Sequence, residues 1–363
     1  MKKMLAVLCA VMMIFACAAC ASNEEEVDYS FADGDQYEYI GGELNVMSWG
    51  EYIDPELIKI FERETGVHVN YVEIPSNEEM MIKLRTADQA FDVCIPSDYC
   101  IEQMIREDML LPLDYSKIPN AKNIDPKMMS ISTQFDPDNK YSLPYMWGTV
   151  GILYNTEIVD EEVDSWGILW DEKYAGQIWM YDSIRDTFGI TLKYLGYDMN
   201  TRSVDEVNAA RDKLIEQTKI RKGFGGDNIR PSLINGTAAM GVVYSGDAMD
   251  AISQNNALAY VVPKEGSNIW FDNTVILKSA KNIEAAHAFI NFLNDANLAA
   301  RNTEYIYYST PNAAAMALLD PEYTEDEIYN PPQEVLDRCE IFHDLGDFTD
   351  VFTKAWSKIK SAN

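Results

Sequence analysis

The chain has 363 residues, 47% of them hydrophobic, and a formal net charge of −30 at pH 7. That length suits two globular domains, and the apolar share leaves no general case for disorder. So acidic a chain excludes nucleic acid and anionic membrane surfaces as natural partners, although acidity alone says little beyond solubility.

The chain opens "MKKMLAVLCAVMMIFACAAC". Lys2 and Lys3 form a positive start, and Met4 to Ala19 is apolar but short for a membrane span of roughly 20 residues. We read residues 1–20 as a secretory signal. The small residues Ala18 and Ala19 before Cys20 resemble a bacterial lipobox, which makes Cys20 the expected lipid anchor; Cys17 is the weaker candidate behind bulky Phe15. Residues 21–42 carry a run of acids and no base, and read as an extended, self-repelling linker. Beyond the signal only Cys94, Cys100 and Cys339 remain, an odd number and too few for a disulfide framework. Cys94 lies in the apolar run "FDVCIP" and is expected to be a buried thiol.

From Gly42 onward strand and helix alternate. "GELNVMSWG" is a strand and turn. "DPELIKIFERETG" is a helix capped by Asp54, opened by Pro55 and stopped by Gly66. "VHVNYVEI" alternates as a strand, and "SNEEMMIKLRTADQ" is a helix with a capping-box start from Ser76 to Glu79. "FDVCIP" is a strand, followed by a helix begun at Ser97. Three such alternations predict a parallel sheet with covering helices. "YSLPYMWGTVGILYNTE" is β-rich and long enough to run from one domain into another. "SWGILWDEKYAGQIWMYDS" reads as a short helix and a strand. Helices are expected at about 186–196, 204–221 and 227–235, with the glycine-rich "GFGGDN" at 223–228 as a loop. The strand "AAMGVVYSG" precedes a helix from Asp247. "LAYVVPKEG" and "IWFDNTVILK" are strands, "NIEAAHAFINFLNDANLAARN" is a helical pair, and a last helix ends the chain.

Enzyme signatures are missing from this pattern. His68, His287 and His343 stand apart, and there is no His-Glu-x-x-His helix, Gly-x-Ser-x-Gly elbow or P-loop. What recurs is an aromatic ring near a carboxylate at the ends of predicted elements: Trp49-Gly50-Glu51-Tyr52, Ser97-Asp98-Tyr99, Trp179 to Asp186, Tyr244 to Asp247, and Trp270-Phe271-Asp272. Ligand groups gather at the carboxyl ends of strands in open α/β sheets. Rings attract ammonium groups by about 0.5–2 kcal/mol, and a carboxylate adds roughly 1.5–3 kcal/mol through a charge-assisted hydrogen bond. Two ammonium ends held this way suffice for micromolar binding, near 8 kcal/mol. Taken singly, each of these pairs is more often packing than a ligand site; five at similar places along the fold shift the balance.

The blocks "NVMSWGEYIDPELIKIFERETGVHVNYVEIPSNEEMMIKLRT", "FDVCIPSDYCIEQMIREDML", "YSLPYMWGTVGILYN", "SWGILWDEKYAGQI", "VPKEGSNIWFDNTVI" and "STPNAAAM" together resemble the spermidine/putrescine-binding proteins of bacterial ABC importers, in the family's own order. The resemblance covers nearly all of the chain from about Gly42. It implies an α/β, two-lobed periplasmic-binding-protein fold of type II, with each lobe a mixed sheet flanked by helices and the ligand in the cleft between them. The lobes are expected at 43–150 plus about 271–316, and at 151–270 plus about 317–363. It implies a transport protein rather than an enzyme, a monomer without cofactor or metal, extracytoplasmic and held to the membrane only by lipid, whose partners are a polyamine and the permease subunits.

Position by position, the resemblance places Trp49, Glu51 and Tyr52 in a first-lobe wall, with Ser97 and Tyr99 beside them. Asp186 takes the place of a terminal-amine carboxylate, a Glu in relatives. Tyr244 stands where relatives carry Trp. Trp270 and Asp272 match a ring and the carboxylate for the other terminal amine, and Tyr308 matches a lining tyrosine. Spermidine-preferring relatives place an Asp where this chain has Ser183, with Asp182 adjacent. Putrescine-preferring relatives carry an Asp at Asp247, as here. Both departures lean toward putrescine. A polar family contact falls about Phe342, which is apolar here. Two other readings stand beside this one: a ferric-iron binder of the same fold, using adjacent Tyr307 and Tyr308, and a secreted hydrolase, for which no nucleophile or acid–base pair can be named.

Overall fold

The computed structural model describes residues 39–86 and 90–362. The signal-like segment with Cys20, and nearly all of the acidic linker, lie outside the described residues.

The chain begins with the expected alternation: β1 (Glu43–Ser48), α1 (Pro55–Thr65), β2 (His68–Glu73), α2 (Asn77–Thr86), β3 (Val93–Cys94) and α3 (Asp98–Arg106). The local chemistry is legible in each. At the start of α1 the Asp54 carboxylate accepts the Glu56 N–H, and at its end Gly66 turns left-handed at φ 69°, where its N–H reaches the Glu62 carbonyl. At α2, Ser76 Oγ accepts the Glu79 N–H at 3.1 Å. β1 pairs in parallel with both β2 and β3, which sets the carboxyl ends of β1 and β3 side by side.

There follow β4 (Leu110–Leu111), α4 (Pro126–Ser132) and the fourteen-residue β5 (Ser142–Asn155), buried along nearly its whole length. A second block holds β6 (Ile178–Tyr181), α5 (Ile184–Tyr194), α6 (Val204–Glu216), β7 (Arg221–Gly225), α7 (Ile229–Ile234), β8 (Met240–Tyr244), α8 (Ser245–Gln254) and β9 (Leu258–Val261). The chain then returns as β10 (Ile269–Leu277), α9 (Ile283–Leu293) and α10 (Ala296–Ile306). It ends with the short α11 (Ala313–Met316), α12 (Pro321–Thr324) and α13 (Gln333–Leu336) and the longer α14 (Thr349–Ser361).

The strands form one hydrogen-bonded path, β2-β1-β3-β10-β5-β8-β6-β7, with β4 on β10 and β9 on β5. The long strand β5 explains the two-lobed architecture. Its first part, through Thr149, pairs antiparallel with β10; from Val150 on it pairs with β8 and β9. Two parallel blocks, β2-β1-β3 and β8-β6-β7, thus stand at the two ends of the path.

Three local expectations differ. The short helix after Ser165 is a pair of 3-10 turns, Trp166–Trp170 and Glu172–Tyr174. The helix foreseen at 204–221 stops at Glu216, because Arg221 is taken into β7 by pairing with Ile178. Gly223 to Gly225 of the glycine-rich segment belong to that strand too, rather than to a loop.

The strand pleat separates site from core. On β10, Phe271 is fully buried and stacks on Trp147 at 6.2 Å, in a cluster that includes Cys94 and Cys100. Burying one such ring is worth about 1.5–3 kcal/mol, so Phe271→Ala would open a costly cavity here. Trp270 and Asp272 face the other way.

Candidate functional site

The turn after β1 carries Trp49, Glu51 and Tyr52; Ser97 follows β3; Asp186 lies in the first turn of the helix after β6; Tyr244 ends β8 and Asp247 lies in the first turn of α8. All of these are carboxyl ends of parallel strands. β10 runs antiparallel to β3, so its beginning, with Trp270 and Asp272, arrives at the same edge. Sheet direction alone therefore gathers the predicted residues.

Asp272 is the best-defined member. It is 5% exposed. Tyr52 donates its hydroxyl to Oδ2 at 2.7 Å, and Ser97 donates to Oδ1 at 2.6 Å. Ser97 stands at the N-cap position of α3, yet its side chain makes no capping bond, having been turned to Asp272 instead. Burial pushes the carboxyl up to about 6, against the two hydroxyl donors and the nearby Trp49 indole, which hold the charged form. The indole N–H comes near without a hydrogen bond of good geometry. No base forms an ion pair with Asp272 among the described residues.

Asp186 is the second buried carboxylate, 6% exposed. Tyr244 donates its hydroxyl to Oδ2 at 2.9 Å, and Ser183 caps the helix by accepting the Asp186 N–H at 3.3 Å. Burial raises this carboxyl as well. Between the two acids the rings form an unbroken chain of edge-to-face contacts. Tyr52 meets Tyr308 at 5.8 Å, Tyr308 meets Trp270 at 5.2 Å, and Trp270 meets Tyr244 at 5.8 Å. Two glycines admit this packing: a Cβ on Gly246 would stand 2.4 Å from the Tyr308 ring, and one on Gly148 would stand 2.7 Å from Trp270.

Asp247 is the third acid, and its setting differs. Burial raises it to about 6, while Arg230 and the Tyr308 hydroxyl favour its charged form. It does not cap α8; the residue at the N-cap is Tyr244. Glu51 is exposed, in a left-handed conformation at φ 51°, and reaches toward Arg230.

Two predicted residues sit apart from the carboxylate cluster. Asp182 pairs with Lys360 of α14 at 2.7 Å on the exposed side. Tyr99 gives its ring to Arg185, whose guanidinium lies 5.2 Å from it and 4.4 Å from the Phe342 ring; its hydroxyl bonds Asn77 and Glu78. Phe342 and Tyr99, set edge to face at 6.3 Å, thus both contact the Arg185 guanidinium. Tyr307 and Tyr308 diverge: Tyr307 is the left-handed cap of α10, while Tyr308 joins the ring chain. Among the described residues no group of three or more His, Cys, Asp or Glu is placed to hold a metal ion.

Sequence reasoning missed Arg230, Tyr181 and the role of Asp98. Tyr181 packs on Tyr244 at 4.9 Å. Asp98 is buried and accepts the N–H groups of Tyr99 and Phe271, which ties α3 to β10 behind Asp272. Tyr181 and Asp98 each had a signal, a place in a ring-and-carboxylate stretch at a strand end, and Arg230 had none. A cavity of about 420 Å³ elsewhere, lined by Lys127, Asp198, Gln333, Cys339, Glu340 and His343, holds none of the predicted residues. The carboxylate cluster is the stronger candidate, because it combines buried acids with a chain of rings, which the residues lining that cavity do not.

Residues 56–331 match the bacterial extracellular solute-binding protein family. The chain belongs to that family. It is 36% identical over 320 residues to the spermidine/putrescine-binding periplasmic protein of Salmonella typhimurium, covering 88% of this chain and 91% of that one. It is 33% identical to a putrescine-binding periplasmic protein of Pseudomonas aeruginosa, covering 88% and 92%. A crystal structure of the spermidine/putrescine ABC transporter substrate-binding protein of Streptococcus pneumoniae superposes with a TM-score of 0.77 at 40% identity, covering 89% and 99%. These relatives are two-lobed solute-binding proteins of transport systems, not enzymes.

Proposed function

We propose that this solute-binding protein captures a polyamine outside the cytoplasm, with a lean to putrescine, and hands it to the permease of an ABC importer. One observation carries the reading. Asp272 and Asp186 are buried carboxylates, each bonded by a tyrosine hydroxyl and without an ion pair among the described residues, and a continuous run of aromatic rings joins them. Two ammonium groups on an apolar spacer complement that arrangement: the carboxylates take the ends, and the rings take the methylenes and share the charge. Asp272 stands at the start of β10, next to the β2-β1-β3 block, and Asp186 follows β6 of the other block, so a bound dication bridges the lobes 43–150 plus about 271–316 and 151–270 plus about 317–363 and favours their closed arrangement. Cys20 would carry the lipid that holds the monomer at the membrane, which the mass of the mature N-terminal residue reads directly.

Calorimetric titration with putrescine, spermidine and ferric citrate tests the reading. We expect micromolar or tighter binding of putrescine, weaker binding of spermidine, and no heat from the iron. Absence of heat with both polyamines would refute it.

A further inference from the structure

Arg230 is the second residue of α7, in the stretch "GGDNIRPS", which has no other base. Its side chain is 30% exposed and faces three acids. Nε lies 3.1 Å from Asp250 Oδ2, one Nη lies 3.6 Å from Asp247 Oδ1, and the other lies 3.9 Å from Glu51 Oε2. Asp247 and Asp250 are three residues apart on α8 and share a helix face. Glu51 comes from the turn after β1, in the other parallel block. One base therefore spans the edge of the ring cluster, from the helix that carries Asp247 to the opposite wall. Among the described residues Asp272 and Asp186 have no equivalent ion pair.

We propose that Arg230 is a specificity-determining residue: it answers Asp247 from within the protein, so that the site leaves uncommitted carboxylates for two ammonium groups and selects a diamine over a triamine. This rests on the polyamine reading above. A third ammonium near Asp247 would meet a carboxylate already engaged and a guanidinium of like charge. Without Arg230, the same place would present Asp247, Asp250 and Glu51 with no base among them, which favours a ligand that brings one more cation.

A simple brace between α7 and α8 is the competing role, and ligand selectivity separates the two. In Arg230→Met the ratio of spermidine to putrescine dissociation constants, read by calorimetry, should shift about tenfold in favour of spermidine, the factor carried by one modest charge-assisted bond. Arg230→Lys keeps the charge and should keep the wild-type ratio. If Arg230→Met proves unstable, Arg230→Gln, which can still donate to Asp250, reads the same ratio. Equal changes for both ligands, or none, overturn the assignment of Arg230 while leaving the polyamine reading intact. Failure of the wild-type protein to bind either polyamine overturns both.

Discussion

Asp272 and Asp247 are both raised to about 6 by burial, yet they are held in opposite ways. Around Asp272 the donors are neutral: the Tyr52 and Ser97 hydroxyls, short and fixed by the ends of β1 and β3. Around Asp247 the partner is a cation shared with Asp250 and Glu51. Neutral donors orient a carboxylate without cancelling its charge, whereas a guanidinium answers it. The first setting keeps a full negative charge available to an incoming cation; the second has its cation built in. That contrast predicts unequal consequences for changes at the two sites.

The largest effect belongs to Asp272→Asn. The substitution keeps size and removes charge, so polyamine affinity should fall by at least about a hundredfold, in line with the roughly 3–5 kcal/mol that breaking a buried ion pair costs. At the same time, the ligand-free protein should melt at a higher temperature near neutral pH, since an unpaired buried charge has gone. Calorimetry and thermal denaturation measure the two. An affinity change below threefold would show that Asp272 is no more committed to the ligand than a packed surface acid, and the contrast with Asp247 would collapse.

Acidity gives the next effect. The folded-state value of Asp272 lies above its ordinary value of 3.8, so between about pH 4 and 6 the native state binds more protons than the unfolded chain. Ligand-free stability should therefore decline as pH rises through that window, by about 3 kcal/mol from this group for its shift from 3.8 to about 6. Ligand affinity should move oppositely, because the ammonium needs the ionised acid: roughly tenfold weaker per unit of pH below 6 for one carboxylate. Titration in buffers of different ionisation enthalpy near pH 6 should show proton release on binding. In Asp272→Asn this carboxyl's own share of the dependence should vanish, while the shares of Asp186 and Asp247, which burial also raises, remain.

Element order and the placing of these acids at strand ends were legible in the sequence, because they follow from local chemistry: Asp54, Pro55 and Gly66 bound α1, and alternation on β10 sets Trp270 and Asp272 opposite Phe271. Motif order extended this to the family. The remainder depends on long-range packing. Nothing local says that Ser97 forgoes its helix for an acid 175 residues away, or that Arg230 reaches Glu51. Nor could the pattern "YDSIRDT" tell which of Asp182 and Asp186 turns inward. The Ser183 cap decides it, since it starts α5 at Ile184 and places Asp186 in the first turn, under Tyr244.

Asp182 then gives the smallest expected effect. Its carboxylate pairs with Lys360 at 2.7 Å, and both partners are substantially exposed, at 46% and 37%. An exposed pair of this kind contributes ~0–1 kcal/mol, less in salt. Asp182→Asn should leave putrescine and spermidine affinities within about twofold of the wild type, the change carried by ~0.4 kcal/mol, and should lower the melting temperature only slightly. The test also bears on selectivity, because a carboxylate near this position is what a triamine's middle nitrogen would need. A selective loss of spermidine binding would mean that Asp182 releases Lys360 and turns toward the ligand. The protein would then offer a third free acid after all, and Arg230 would no longer suffice to explain a preference for diamines.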